Sequence, residues 1–367
     1  MKGSIAIAVS GGIDSLVSAY LLKQQVRDVF GVHFLTGYEK PVESNAKDIQ
    51  SLFKQLGLPV VVIDLKKQFQ TMVVDHFVAA YLNGITPNPC LVCNPSIKFG
   101  VLFDEARRLG ASRLATGHYA RVEAGRGGRC RLRKGVDLQK DQSYYLSRLT
   151  QAQLARAYFP LGTWTKHQVS SLAKKKGLQP ITQQESQDVC FIRDTNYADF
   201  LVRSSGICPQ SGDIVTTAGD RVGTHRGLHR YTIGQRRGIN CPASQAFYVI
   251  RIDTQRNRLV VGFKEELAVK SCQVTNINWI ADAPEAPMAF DTRIRYRHTA
   301  VPSTVSPIGH DVAAVCFDQP LDAVTPGQGA VFYRGDEVIG GGWIESVHPE
   351  VASCSQAGVH AFPSSES

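Results

Sequence analysis

The sequence predicts an α/β protein, with a doubly wound parallel sheet in its N-terminal half followed by two small β-rich domains, the last of them barrel-like. Up to about residue 195, short β-branched runs alternate with helical patterns, as in parallel sheets that carry helices on both faces. After Tyr197, short alternating strands are separated by frequent Gly and Pro, which is typical of small barrels.

The elements follow from these patterns in chain order. An apolar run over residues 5–9 predicts the first strand, and the spacing of apolar residues from Leu16 onward predicts a helix. The remaining predictions are strands over 28–35, 59–65 and 112–116, helices over 42–56 and 69–81, a hairpin tip or mobile loop over 125–133, and later strands over 230–233, 246–253, 258–263 and 331–333.

We expect domains over residues 1–195, 196–275 and 276–349. Residues 350–367 show no periodic pattern and predict a disordered tail. The chain of 367 residues is long enough for two or three domains. A monomer is the simplest expectation.

Composition restricts where the protein works and what it binds. No apolar run reaches membrane-spanning length, no signal-peptide pattern opens the chain, and the first strand starts too near Met1 for a transit peptide. We therefore expect a cytoplasmic protein with no membrane partner. The 41 Lys and Arg against 32 Asp and Glu give a net charge of +9, which fits a nucleic-acid partner or simply a basic surface.

A glycine-rich turn follows the first strand. Ser10-Gly11-Gly12-Ile13-Asp14-Ser15 connects that strand to the first helix, and the N–H groups of such a turn and helix N-terminus bind anions. No Gly-Lys-Ser/Thr follows, which excludes the Walker loop. The spacing resembles the PP-loop of ATP pyrophosphatases, enzymes that split ATP into AMP and pyrophosphate.

Three of the nine cysteines lie in motifs. Cys90 and Cys93 form a C-x-x-C pair in the proline-rich stretch 86–94, and Cys190 follows in 185–192. An odd number of cysteines without a secretory pattern argues against a disulfide scaffold. A C-x-x-C pair suits a metal or a redox pair. The remaining six receive no role, and Cys272 and Cys316 are expected in the core.

Eight segments match, in order, the signatures of one family. The chain resembles the MnmA/TrmU family of tRNA-specific 2-thiouridylases, and the matches span residues 8 to about 345. The segments are SGGIDS, TPNPCLVCNPSIKFG, ATGHYAR, KDQSYYL, SQDVCFI, GLHRYTIGQRRGI, RIRYRH and AVTPGQGAVFY.

The resemblance implies ATP-dependent 2-thiolation of the wobble uridine (position 34) of tRNA. The C2 oxygen would be adenylated, pyrophosphate released, and AMP then replaced by sulfur. The implied cofactors are ATP and Mg²⁺, with Asp14 as a metal contact. By the match, the nucleotide would be framed by Ala8, Val9, Ser10, Gly11, Gly12, Ile13, Asp14, Ser15, Phe34 and Gly117. The implied tRNA contacts are Asn88, Pro89, His118, Lys140, Asp141, Gln142, Arg295, Tyr296 and Gln328. Separately, the pair Arg236-Arg237 and the alternation Arg293-Arg295-Arg297 would place guanidinium groups on phosphates.

The chain departs from the family pattern at position 90, where Asp is expected. With Asp there, the family mechanism uses a persulfide and a transient disulfide between two cysteines, matched here by Cys93 and Cys190. A thiol is a poor replacement for a carboxylate base. We favour a [4Fe–4S] cluster on Cys90, Cys93 and Cys190, whose open iron would deliver hydrosulfide. The persulfide pair stays open, as does zinc, and the sulfur donor is a cysteine desulfurase or relay protein, or free sulfide.

Two other functional hypotheses compete with the thiouridylase hypothesis. Another PP-loop enzyme, such as an amidotransferase-type synthetase or a cytidine thiolase, would use the same adenylation on a different acceptor. A non-catalytic tRNA-binding protein would need a damaged nucleotide turn, whereas Ser10 to Ser15 are intact. The segment between Phe34 and Ile49 is shorter than the family pattern, with an effect that the sequence does not define.

Overall fold

The computed structural model describes residues 4–26, 28–39, 46–181, 189–192 and 196–348. The predicted tail over 350–367, part of the shortened segment after Phe34 (40–45) and most of the stretch before Cys190 (182–188) lie outside the described residues.

The N-terminal half contains the predicted parallel sheet. Its strands are β1 (Ser4–Ala8), β2 (Val29–Leu35), β3 (Val60–Asp64), β4 (Ala111–Ala115) and β7 (Ala157–Tyr158), with an antiparallel hairpin of β5 (Ala120–Ala124) and β6 (Cys130–Lys134) between the last two. The order β3-β2-β1-β4-β7 places β1 at the centre, and every pairing is parallel. For residues 125–133, where the sequence predicted either a hairpin tip or a mobile loop, the structure confirms the hairpin.

Helices cover both faces of this sheet, as predicted for a doubly wound fold. Helices Ile13–Gln25 and Ala46–Lys54 bury Leu16, Leu22 and Phe53 against one face. The other face packs against a larger core that includes residues of the C-terminal half. The helical segments of this half are Ile13–Gln25, Ala46–Lys54, Lys66–Phe69, Gln70–Val74 (π), Asp75–Leu82, Pro89–Cys93, Asn94–Leu102 (π), Phe103–Arg108, Arg126–Gly128 (3-10), Ser143–Leu146, Gln151–Leu154 and Lys166–Lys176.

A small β-rich unit comes next. Helix Tyr197–Ser205 precedes a four-stranded sheet of β8 (Gly212–Thr216), β9 (Arg221–His225), β10 (Tyr248–Asp253) and β11 (Arg258–Gly262), in the order β10-β11-β8-β9. The strand predicted over 230–233 is wrong. A 3-10 turn, Leu228–Arg230, follows Gly227, which has a φ of +119°. The backbone here forms turn hydrogen bonds, such as Tyr231 N to Leu228 O, in place of hydrogen bonds to a neighbouring strand.

The last unit is a closed barrel. Its six strands are β12 (Ala268–Trp279), β13 (Met288–Arg293), β14 (Val301–Pro307), β15 (Ala313–Asp322), β16 (Gly329–Arg334) and β17 (Glu337–His348), and the β12–β17 pairing closes it. Because Ala268 already pairs with Asp322, the barrel begins before the predicted boundary at 275/276. The barrel-like prediction is confirmed.

The barrel and the N-terminal half are joined by shared sheet and shared core. Strand β6 of the hairpin pairs with β17, so the N-terminal half contributes two strands to the barrel sheet. Val331, Tyr333 and Val338 of the barrel lie in the large core of the N-terminal half. No helix within the described residues is long and apolar enough to cross a membrane.

Candidate active site

The glycine-rich turn lies at the carboxyl end of the central strand β1. Gly11 has a φ of +87°, whereas Gly12 has a φ of −82° and caps helix Ile13–Gln25 without a side-chain hydrogen bond. The Ser15 hydroxyl donates to Gly12 O at 2.8 Å and accepts from Ser10 N at 3.3 Å. The side chain thus closes the turn from inside. Because no side chain caps this helix, its N-terminus presents backbone N–H groups, the usual donors to a phosphate.

Two predicted nucleotide residues lie on the strands beside this turn. Gly117 follows β4, and a Cβ on it would stand 3.1 Å from Ser15 N. The backbone after β4 therefore packs closely on the turn, and a side chain at position 117 would require the turn to shift. Phe34 lies near the end of β2, partly buried against the large core. Both positions flank β1, at the edge of the sheet where ligands of doubly wound folds bind.

The Asp14 carboxylate is engaged by protein groups. Lys166 Nζ donates to its two oxygens at 2.7 and 2.8 Å, and the Tyr119 hydroxyl donates at 2.8 Å. An Mg²⁺ ion would have to share or displace these partners. Lys166 brings a cation to the nucleotide turn, where it would balance phosphate charge. No local pattern marks Lys166, because it comes 152 positions after Asp14.

The two paired thiols lie on one short helix. Helix Pro89–Cys93 starts with Pro89 in its first turn and continues into the π-helix Asn94–Leu102. Burial raises the pKa of the Cys90 thiol to about 11 and that of Cys93 to about 12, while the Lys98 ammonium lowers both. Lys98 comes five positions after Cys93, and i→i+5 hydrogen bonding makes this spacing that of neighbours.

Cys190 belongs to the same neighbourhood. It is exposed, and its charge raises the pKa of both Cys90 and Cys93. In the part of the chain that the structure describes, however, no three His, Cys, Asp or Glu side chains are arranged to bind a metal ion. The described thiols do not form a ready cluster or zinc site, and the cluster stays a prediction.

His118 connects the thiols to the nucleotide turn. Lys98 Nζ lies 3.5 Å from His118 Nε2, and Thr116 Oγ1 lies 2.7 Å from His118 Nδ1. Because an ammonium can only donate, Nε2 accepts and Nδ1–H donates to Thr116. Burial and the Lys98 charge hold the pKa of His118 well below its usual range, so it is neutral at pH 7. His118 is only 8% exposed, which leaves little surface for the predicted tRNA contact.

Several other predicted tRNA residues make contacts within the protein. Gln142 Oε1 accepts from Tyr119 N at 3.1 Å, and Tyr296 stacks on Tyr145 at 4.4 Å between ring centroids. Arg295 donates to Ala323 O at 2.6 Å and Gln328 donates to Thr86 O at 2.9 Å. Asn88 and Lys140 are partly buried and Pro89 is buried.

Asp141 requires a correction. It is 2% exposed, and its carboxylate accepts from Gly135 N, Ser143 N, Ser143 Oγ and Arg293. A carboxylate with this many internal donors has no surface for RNA, so we assign it a structural role. The family resemblance had implied a tRNA contact here, because Asp141 lies in the matched segment KDQSYYL.

We expect Asp141→Ala to lower the free energy of unfolding by about 3 kcal/mol, because it leaves the Arg293 guanidinium buried without its partner. Urea unfolding measures this. Asp282→Ala, which removes an exposed partner of Arg129, is the matched control and should change stability by less than about 1 kcal/mol. If Asp141→Ala has normal stability but binds tRNA more weakly, Asp141 would be a tRNA contact after all.

Three family models cover almost the whole chain. The model described as the tRNA methyl transferase HUP domain matches residues 3–194, the PRC-barrel domain of the same set matches 199–263, and the aminomethyltransferase β-barrel domain matches 269–344. A relative from Desulfosudis oleivorans, named tRNA-specific 2-thiouridylase MnmA, is 52% identical over 93% of this chain and 95% of its own length. The chain belongs to the tRNA-specific 2-thiouridylase MnmA family. This confirms the resemblance in the motifs and the enzyme class that it implied.

Further relatives agree with this membership. The MnmA of Geobacter metallireducens is 42% identical over 94% of this chain and 98% of its own length. Among solved structures, the U34-tRNA thiolase NcsA of Methanococcus maripaludis with its [4Fe-4S] cluster is 18% identical, covers 56% of this chain and 65% of its own, and has a TM-score of 0.34. A predicted tRNA methyltransferase subunit from Methanocaldococcus jannaschii has a TM-score of 0.31, with 18% identity, 47% of this chain and 74% of its own. Both overlaps are too small to carry an argument about the site.

Proposed function

We propose that this protein thiolates C2 of the wobble uridine of tRNA, using ATP and the thiols of the helix Pro89–Cys93. One observation carries this proposal: the nucleotide turn and the thiols are joined by a short series of contacts. The Lys98 ammonium lowers the pKa of both thiols and lies 3.5 Å from His118 Nε2. Gly117, the residue before His118, packs on Ser15. A base held between them would face both ATP and sulfur.

The N-terminal domain would perform the activation. The C2 oxygen of uridine attacks the α-phosphorus of ATP, the bond to the β-phosphate breaks, and pyrophosphate leaves. The N–H groups after Gly12 and the Lys166 ammonium would stabilise the charge on that leaving group. Mg²⁺ would arrive with the ATP phosphates, since Mg²⁺ commonly binds through substrate phosphates and few carboxylates.

Sulfur transfer needs a nucleophile at C2. In the persulfide route, the outer sulfur of a persulfide on one cysteine attacks C2 and AMP leaves. The thiolate of the other cysteine then attacks the inner sulfur, which releases 2-thiouridine and forms the Cys93–Cys190 disulfide. An external thiol reductant reopens that disulfide. Thiolates are the reactive form. Burial raises the pKa of Cys93 to about 12 and so disfavours its thiolate, and the Lys98 ammonium partly opposes this effect.

The second candidate carrier is the [4Fe–4S] cluster on Cys90, Cys93 and Cys190. Cys190 raises the pKa of Cys90 and of Cys93, and Cys90 raises that of Cys93, which supports placing the three thiols near one another. The described residues do not form a ready three-ligand site, and for that reason we place the persulfide route first. Cys90 would then be a neighbour of the reacting thiols.

The test starts from protein purified without oxygen. Unmodified tRNA and ATP are supplied with a persulfide donor in one arm and with sulfide in the other, and nucleosides are measured by mass spectrometry. We expect 2-thiouridine, with AMP and pyrophosphate released in equal amounts and only when ATP is present. Iron-free protein that works from persulfide supports the first route, whereas iron-dependent work from sulfide supports the cluster. Absence of 2-thiouridine in both arms would refute the proposal.

A further inference from the structure

A turn of the C-terminal barrel contacts the loop that leads into helix Pro89–Cys93. We call Thr325–Gly329 the barrel turn and Thr86–Pro89 the thiol loop. Gln328 Nε2 donates to Thr86 O at 2.9 Å and to Pro87 O at 3.2 Å. In return, Thr86 N donates to Pro326 O at 3.2 Å. Three hydrogen bonds thus join two segments about 240 residues apart.

The two segments fit together closely. Gly327 has a φ of +87°, and a Cβ on it would stand 2.1 Å from Ile85 Cγ2. A Cβ on Gly329 would stand 2.5 Å from Leu91 Cδ1. Side chains at either position would push the turn away from the loop, so the glycines permit the contact on both sides of Gln328.

The barrel turn is itself well anchored. Gly327 N donates to Ile344 O at 2.8 Å, and Ile344 N donates to Gln328 O at 2.9 Å. Arg295 donates to Ala323 O at 2.6 Å and to Thr325 Oγ1, and reaches Ile233 O of the middle unit at 3.5 Å. Gln328 therefore extends from a backbone that strand β17 and Arg295 hold in place.

Two of the four residues of the thiol loop are prolines. Pro87 and Pro89 have no N–H to donate, and the donors to Thr86 O and Pro87 O both come from Gln328. Just beyond the loop, Leu91 N donates back to Asn88 O at 3.2 Å. Gln328 therefore supplies, from outside the N-terminal domain, hydrogen bonds to the two carbonyls that precede Asn88 and helix Pro89–Cys93.

We propose that Gln328 is a positioning residue whose two donated hydrogen bonds hold the thiol loop, and with it Cys90 and Cys93, in place for sulfur transfer. Both hydrogen bonds are donated by Gln328 Nε2, so this role is separate from the tRNA contact that the family resemblance implied, which stays a prediction. The effect on turnover rests on the proposed function, whereas the effect on loop order does not.

Gln328→Met keeps the shape and removes the donors, and Gln328→Glu replaces the donors with a charge. Gln273→Met is the matched control, because Gln273 is a half-buried barrel glutamine that donates to Glu345 instead. Hydrogen exchange of residues 85–93, measured without ATP or tRNA, should be at least about tenfold faster in both Gln328 variants and unchanged in the control.

In turnover, we expect kcat for 2-thiouridine formation to fall about tenfold in Gln328→Met, while the KM for ATP and the Kd for tRNA stay within about twofold. Unchanged exchange in the Gln328 variants would overturn the proposal. So would a weaker Kd for tRNA with kcat unchanged, which would make Gln328 an RNA contact. If exchange is faster in the Gln328 variants but the wild-type protein forms no 2-thiouridine, the loop contact would be confirmed and only the proposed function would be refuted.

Discussion

Cys93→Ser is expected to reduce 2-thiouridine formation by at least about a thousandfold, because a serine hydroxyl cannot carry persulfide sulfur and is a poor replacement for a thiolate ligand of an iron–sulfur cluster. Serine has nearly the shape of cysteine, and Cys93 is only partly buried, so the fold should survive. ATP-dependent release of pyrophosphate from a single turnover should persist, since adenylation of the base needs no thiol. Nucleoside mass spectrometry and pyrophosphate release measure the two steps separately.

Cys208→Ser is the matched control, because Cys208 is an exposed cysteine outside the motifs. Wild-type levels of 2-thiouridine in Cys93→Ser would contradict the assignment. Cys90→Asp separates the two carriers, since it installs the carboxylate of the family pattern. If this variant retains activity with a persulfide donor, the persulfide pair is supported. If it loses both its bound iron and its activity, the cluster is supported.

Gly117→Val is expected to raise the KM for ATP at least about tenfold. Even a single Cβ would stand 3.1 Å from Ser15 N and 3.2 Å from the Asp14 carbonyl carbon, and valine adds two methyl groups. The start of helix Ile13–Gln25 would have to move, and with it the N–H groups proposed to bind the phosphates. Nucleotide titration measures the binding, and thermal unfolding monitors the fold.

Gly309→Val is the control for this experiment, because Gly309 is exposed and a Cβ there meets nothing within 4 Å. Its affinity for ATP should equal that of the wild type. Normal ATP affinity in Gly117→Val would show that the close approach after β4 does not shape the nucleotide site. The loss of tRNA affinity alone would instead indicate that this edge of the sheet binds RNA.

Much of the fold was predictable because its signals are local. The β-branched run before Ser10, the glycines after it and the helical spacing from Leu16 are set within about twenty residues of one another. The strand predicted over residues 331–333 lies within β16 of the barrel and depends on a similarly local pattern. The strand predicted over residues 230–233 failed because its apolar residues mark a turn packed into a small core, in which Tyr231 is buried.

The sequence by itself determined the family, the nucleotide turn and the identity of the three motif cysteines, because each is carried by short segments that are recognisable one at a time. Tertiary structure alone decided that Lys166 pairs with Asp14, that Asp141 is buried beneath Arg293, and that Gln328 supports the thiol loop. Those contacts join residues more than 150 positions apart. They arise from how sheet and barrel pack together, and no spacing within one segment encodes that packing.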